Sequence, residues 1–271
     1  MLACVLETRG ATPRKGGSKM LISARDSAFS IGGGLAEARV LHAARALLDA
    51  ESAPPTQQLL IDLTGKPGAA GICGGTMRIH LWRWHRAQDL SAACALSAQL
   101  AAGQAAALHS PDRVLQEIMR PDPRLLIVGR GHCGIALYQL ARNLQFDIWI
   151  YHDGVAELAP GPLPGASEHQ QIADFSQAFA SQRAVYAVLL NRDFVSDIKS
   201  LRALSGYSPR FLGMMGSAKR IAQVRNALPE ISAFLANLHA PVGLAIGAQT
   251  PEEIAVSILA QLIQVRAEQL G

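Results

Sequence analysis

Residues 125–153 read LLIVGRGHCGIALYQLARNLQFDIWIYHD, and this stretch decides the fold of the second half of the chain. Leu125 to Val128 is a short, continuous apolar run, the pattern of a strand buried on both faces of a parallel sheet. Gly129, Gly131 and Gly134 then complete a G-x-G-x-x-G. Leu137, Leu140, Ala141 and Leu144 follow at helical spacing along one stripe. A second β-rich run, Ile148 to Tyr151, leads to Asp153, nineteen residues after the last glycine. The glycine pattern alone is weak, but strand, glycines, helix, strand and terminal acid together are specific. Glycines let the backbone turn tightly and approach a diphosphate, whose charge sits at the helix N-terminus. An Asp at the end of the second strand accepts hydrogen bonds from ribose hydroxyls. The expectation is a Rossmann-like parallel-sheet unit with Gly129, Gly131, Gly134 and Asp153 at its ligand site.

Composition bounds the rest. At 271 residues the chain suits one large or two medium domains, and either buries a sizeable core. The net charge of +4 suits an anionic small ligand, but no basic run points to nucleic acid. Cys4, Cys73, Cys94 and Cys133 are scattered without C-x-x-C spacing, which disfavours a disulfide framework and fits a reducing cytoplasm. Met1 to Leu6 is too short for a signal peptide, and no apolar segment approaches membrane-spanning length. A cytoplasmic location and no membrane partner are expected. The opening strand, with no element before it, points to an abbreviated N-terminus.

In the first half, Ala3 to Glu7, Met20 to Ser23, Phe29 to Ile31, Gln58 to Leu63 and Met77 to Trp84 read as strands. A helix is expected from Leu35 to Ala50, and an alanine-rich one from Gln88 to Leu108. Ser110 to Pro123 holds three prolines and is the best linker. The expected division is therefore 1–110, a linker at 111–123, and 124–271. In the second half a surface loop is expected at 160–165, helices at 173–180 and 198–204, and a strand at 184–190. A glycine turn able to receive an anion is expected at 213–217. Thr250, Pro251 and Glu253 read as a capped helix start.

Three clusters carry chemistry. Cys73 lies beside Gly74 and Gly75, where flanking glycines leave the sulfur uncrowded and backbone N–H groups can stabilise a thiolate. A small residue tolerated in a tight turn is the alternative. Arg9, Arg14, Lys15 and Lys19 stand among glycines and resemble a clamp for phosphate, or else a solvated surface loop. Gly32, Gly33 and Gly34 before a helix form a third anion-site candidate, with Glu37 as an acid or base or simply a macrodipole partner. His132 sits at a permissive position of the glycine loop. The remaining histidines show no metal-binding spacing.

Several stretches taken together resemble the xanthine dehydrogenase accessory protein family, the XdhC/CoxI type. They are VLETRGATPRKGGSKMLI at 5–22, SIGGGLAEARVL at 30–41, GICGGTM at 71–77, LLIVGRGHCGIAL at 125–137 with Asp153, FLGMMGSAKR at 211–220, and LHAPVGLAIGAQTPEEIAVSILA at 238–260. The resemblance implies an N-terminal α/β family domain before the Rossmann-like one, and a homodimer. It implies binding of molybdenum cofactor (molybdopterin) between the halves, a cysteine desulfurase partner, and delivery to an apo molybdenum hydroxylase such as xanthine dehydrogenase. Cys73 matches the cysteine of the family's Cys-Gly-Gly motif and is the expected metal contact. Gly74, Gly75, Arg9, Arg14 and Lys15 join the expected cofactor-binding set, with a dinucleotide as a second candidate ligand. Where relatives often carry Thr-His after the third Rossmann strand, this chain has Asn191-Arg192. The competing readings are an NAD(P)-dependent oxidoreductase using the Rossmann site and a scaffold joining desulfurase to hydroxylase. No Tyr-x-x-x-Lys accompanies the glycine fingerprint to support the oxidoreductase.

Overall fold

The computed structural model describes residues 1–154 and 162–268. The chain forms two compact units. Residues 1–100 and 105–119 make the first, and residues 101–104 with the described residues from 120 onward make the second.

The first unit is built on a five-stranded antiparallel sheet. In chain order its elements are β1 (Leu2–Arg9), β2 (Lys19–Ile22), β3 (Ser27–Phe29), α1 (Gly34–Asp49), β4 (Thr56–Asp62), β5 (Thr76–Trp82), α2 (Ala87–Ala101), β6 (Ala106–His109) and β7 (Gln116–Met119). The sheet order is β3-β2-β1-β5-β4. Alternation along β1 sorts its side chains between two cores. Ala3 and Val5 pack with Met20, Ile79, Leu81 and the α1 residues Ala36, Val40 and Ala44. Leu2 and Cys4 face Leu108, Leu115 and Trp82 on the other side.

Two sequence expectations fail here. The alanine-rich helix stops at Ala101, because Gly103 adopts φ +77 and turns the chain into β6. The stretch expected as a linker, 111–123, holds β7, which pairs antiparallel with β6. Leu108 and Leu115 are core residues. Asp112 also ties this hairpin to the sheet, accepting from Ser110 Oγ at 2.5 Å and lying 3.0 Å from Nε2 of the fully buried His80. Pro111 lies in the hairpin's connecting turn, and Pro121 and Pro123 follow β7; they do not make the stretch a spacer.

The second unit contains β8 (Arg124–Val128), α3 (His132–Ala141), β9 (Asp147–Tyr151), β10 (Ala166–His169), β11 (Val185–Leu189), α4 (Phe194–Leu204), β12 (Phe211–Met214), α5 (Ala218–Ala227), α6 (Ser232–Leu235), β13 (Leu238–His239) and α7 (Pro251–Glu268). Its six strands run in the order β10-β9-β8-β11-β12-β13. Every neighbouring pair is parallel. β8, β9 and β11 therefore carry near-continuous apolar runs, as strands covered on both faces must. Leu137 of α3 and Ile258 and Leu262 of α7 cover one face. Leu201 of α4 and Val224 of α5 cover the other. The order reverses direction between β8 and β11, and a crevice opens at the C-terminal ends of strands at such a switch point.

The α/β class and the parallel sheet are as the glycine stretch implies. α7 opens on the expected capping box: Thr250 Oγ1 accepts from the Glu253 N–H at 3.3 Å, and Glu253 Oε2 accepts from the Thr250 N–H at 3.0 Å. The helix expected at 173–180 is a 3-10 turn over Ser176–Phe179. Gly213, expected in a turn, lies inside β12, where a Cβ would come within 2.5 Å of Val242. Of the expected loop at 160–165, residues 160 and 161 lie outside the described residues.

Candidate functional site

The crevice of the second unit is a cavity of about 200 Å³ lined by Gly129, Gly131, Asp153, Leu190, Arg192 and their neighbours. Gly129 sits at φ +120, and a Cβ there would lie 2.6 Å from the Leu190 carbonyl oxygen. Gly134 brings the first turn of α3 so close to β8 that a Cβ would lie 2.1 Å from the Gly129 oxygen. Both positions therefore exclude any side chain. Gly131 differs: its backbone is extended, and what lies over it is the guanidinium of Arg192, with Nε 3.1 Å from the position a Cβ would take. Asp153 stands just past β9 and accepts from Ser196 Oγ at 3.1 Å. The structure thus places Gly129, Gly131 and Asp153 in the crevice lining, while Gly134 packs behind the turn against Gly129.

Sequence reasoning singled out neither Asp197 nor the use the fold makes of Arg220. Asp197 is fully buried, and burial pushes its carboxyl above the usual range against the pull of Arg220. Arg220 Nε donates to Asp197 at 2.7 Å. The same guanidinium donates to the carbonyls of Asn191, Arg192 and Asp193 at 3.1, 2.9 and 2.8 Å. Arg220, three residues beyond the turn expected at 213–217, is spent on internal bonds that fix the loop carrying Arg192.

In the first unit a cavity of about 520 Å³ is lined by Pro13, the Gly32 to Leu35 turn, Leu63, Lys66, Ile72 and Cys73. Such a volume is typical of small-molecule sites. Cys73 is exposed, and Ile72 beside it is 90% exposed. The loop is held by backbone bonds: Gly74 N–H to Leu63 O at 2.8 Å and Leu63 N–H to Gly75 O at 2.9 Å. A Cβ on Gly75 would lie 2.4 Å from the carbonyl oxygens of both Arg9 and Ala11, so the basic loop lies directly against the Cys-Gly-Gly turn. The thiol is the soft donor here, suited to a soft metal or a transferable sulfur. Among the described residues no three His, Cys, Asp or Glu side chains gather to hold a metal ion.

Known proteins share both units. Residues 125–262 match the XdhC Rossmann domain, and residues 1–59 match the XdhC and CoxI family. The chain belongs to the XdhC family. A Bacillus subtilis (strain 168) protein, named as a probable subunit of xanthine dehydrogenase, is 26% identical over 98% of this chain and 93% of its own length. The uncharacterized protein YqeB of Escherichia coli (strain K12) is 28% identical over 98% of this chain, which spans only 43% of that relative. A solved Bacillus halodurans protein, named a xanthine dehydrogenase, superposes with a TM-score of 0.81 at 23% identity over 98% of this chain and 91% of its own, and it shares the fold.

Within this XdhC chain the expected basic clamp is divided. Arg9 pairs with Glu7 at 2.9 Å and lines a separate depression with Arg78 and Leu60. Lys19 pairs with Glu117 at 2.6 Å. Arg14 and Lys15 are exposed and have no ion-pair partner among the described residues; the Arg14 stem packs near Gly32. The third anion-site candidate is already filled from within. Glu37 Oε2 accepts from Gly33 N–H at 3.0 Å and Ser30 Oγ at 2.7 Å, so the N-terminus of α1 receives its own carboxylate. No helix among the described residues is long and apolar enough to cross a membrane.

Proposed function

We propose that this XdhC-family chain is a maturation factor that takes molybdenum cofactor as cargo, shields it, and passes its sulfurated form to a molybdenum hydroxylase resembling xanthine dehydrogenase. The observation that carries this reading is the exposed Cys73 thiol on the rim of a ligand-sized, glycine-cleared cavity. Gly74 and Gly75 keep side chains away from it, and Lys66, with Arg14 and Lys15 on the neighbouring loop, supplies positive charge for an anionic pterin. A cysteine desulfurase as sulfur donor, action as a homodimer and a cytoplasmic setting belong to the same proposal. The crevice around Gly129, Gly131, Gly134 and Asp153 takes a diphosphate-bearing group, whether of a pterin dinucleotide or of a separate nucleotide.

Cys73→Ser keeps size and polarity but replaces a soft donor with a hard, protonated one. The expected result is normal folding with loss of bound molybdenum per protein chain and of apo-hydroxylase activation in a defined mixture. Cys133→Ser should leave both near wild type, since burial raises that thiol and keeps it protonated. Full molybdenum loading and full client activation by Cys73→Ser would remove the thiol from the mechanism. The oxidoreductase reading rests on the crevice alone; purified protein that turns over a nicotinamide cofactor and binds no pterin would favour it.

A further inference from the structure

The sheet of the first unit ends on two unequal edges. β3 is three residues long and stops at Phe29, whose φ is +65. β4 is seven residues long and pairs with β5 in unbroken register from Thr56 to Asp62. It carries none of the devices that usually blunt an edge: no bulge, no proline, and no charge before Asp62. Leu60, on this strand, is 73% exposed.

The bonds at the two ends of β4 fix which backbone groups face outward. Arg83 N–H donates to Pro55 O and Leu63 N–H donates to Gly75 O, so the odd-numbered residues bond β5. The N–H and C=O groups of Thr56, Gln58, Leu60 and Asp62 therefore point to the open edge. The Asp62 carbonyl is already taken there, accepting from Ala70 N–H at 2.6 Å. Among the described residues no backbone group outside the sheet bonds Thr56, Gln58 or Leu60. The open segment thus runs from Thr56 to Leu60, bounded by Pro55 and by the occupied Asp62, with Gln58 at its centre.

We infer that β4 pairs antiparallel with β4 of a second copy of this chain, across a two-fold axis at Gln58, joining two five-stranded sheets edge to edge. This rests on the reading of the chain as a homodimer and names the surface that makes it. The register follows from the open groups. With Gln58 opposite Gln58 of the second copy, Thr56 stands opposite Leu60, and every outward N–H and C=O from Thr56 to Leu60 gains a partner. A slip that set Thr56 of the second copy opposite Asp62 would drive its strand into Ala70. The segment is uncharged, so pairing with itself sets no like charges together, and it covers Leu60. One strand pair buries less than the roughly 1,200 Å² of a standard interface, so the dissociation constant is on the order of 1–100 μM.

The test is sedimentation equilibrium of the full chain across the micromolar range, joined to residue-resolved amide exchange. Wild type should pass from monomer to dimer and stop there. Gln58→Pro removes the central outward N–H and leaves the β4–β5 bonds in place, since an edge strand tolerates proline where its N–H faces solvent. Gln58→Pro and Leu60→Lys should each raise the dissociation constant about tenfold or more. Val195→Lys, at an apolar residue of the second unit that is 72% exposed, should leave it within about twofold. In wild type the amides of Thr56, Gln58 and Leu60 should exchange more slowly as concentration rises, while those of Leu59 and Ile61 are slow throughout. Melting curves of each variant confirm folding. A dimer that either β4 variant leaves intact, or outward amides indifferent to concentration in a dimerising wild type, overturns this inference and leaves a homodimer built on another surface. Wild type that is monomeric at every concentration overturns both.

Discussion

Helix α1 follows three consecutive glycines and helix α3 follows the G-x-G of its fingerprint, yet the chain finishes the first and leaves the second open. At α1 the Glu37 carboxylate returns to the Gly33 N–H and the Ser30 hydroxyl. At α3 no side chain caps Gly131, and the nearest charged group is the guanidinium of Arg192, a cation, which cannot serve a helix N-terminus. The glycines differ in kind as well. Gly33 and Gly34 have no atom near a prospective Cβ and are present for their positive φ, +72 and +63. Gly129 and Gly134 are present because backbone occupies the space. Two glycine-rich helix starts in one chain thus differ: one is closed by its own carboxylate, and the other has no side-chain cap.

The largest effect that would break this contrast is expected at Gly134. Gly134→Ala forces a Cβ to 2.1 Å from the Gly129 oxygen, so the strand–helix turn must reopen. Chemical denaturation should show a loss upward of about 3 kcal/mol, confined to the second unit's transition. Gly33→Ala meets no atom and strains only the backbone, costing roughly 1–3 kcal/mol in the first unit. Equal losses at the two sites would erase the distinction.

Much of this contrast was legible beforehand, and the misses are instructive. The run from Leu125 to Asp153 declared itself because strand, turn and helix each impose their own period on adjacent residues. α1 and the α7 capping box were legible for the same local reason. The 106–119 hairpin was not. Its core residues Leu108 and Leu115 are few, its turn at Arg113 takes a positive φ without glycine, and the prolines in that turn and just beyond β7 imitate a linker. The internal use of Arg220 was also hidden, since its partner Asp197 and the carbonyls of 191–193 lie far from it in sequence. Cys73 and Gly32 to Gly34 were found separately; that they line one cavity is a product of tertiary packing.

Glu37→Ala tests whether the closure of α1 is energetic. Loss of the carboxylate leaves Gly33 N–H and Ser30 Oγ without their acceptor, and thermal melting should report about 1 kcal/mol less stability. No change would mean that the glycines alone set the turn.

The smallest effect sharpens the comparison through pH. Glu253, in the exposed capping box of α7, accepts from the Gln249 and Thr250 N–H groups, which hold its carboxyl below the ordinary Glu range. A depressed folded pKa stabilises above the unfolded value of about 4.3, and the contribution is lost as pH falls through the folded value. Glu253→Gln should therefore flatten the acid limb of stability below about pH 4.5 and change little at neutrality. An unaltered acid limb would show that this carboxylate, unlike that of Glu37, adds nothing.

The strand order of the second unit has a consequence in time. β8 is flanked by β9, which is made soon after it, and by β11, whose first paired residue, Val185, lies about sixty residues downstream of Arg124. At ordinary rates of synthesis that interval lasts roughly 3 to 12 seconds. Throughout it β8 presents one unpaired edge, apolar from Leu125 to Val128, while the first unit is already complete in sequence. A chain arrested before Val185 should be sticky on the ribosome, and release from that state awaits a single strand, β11.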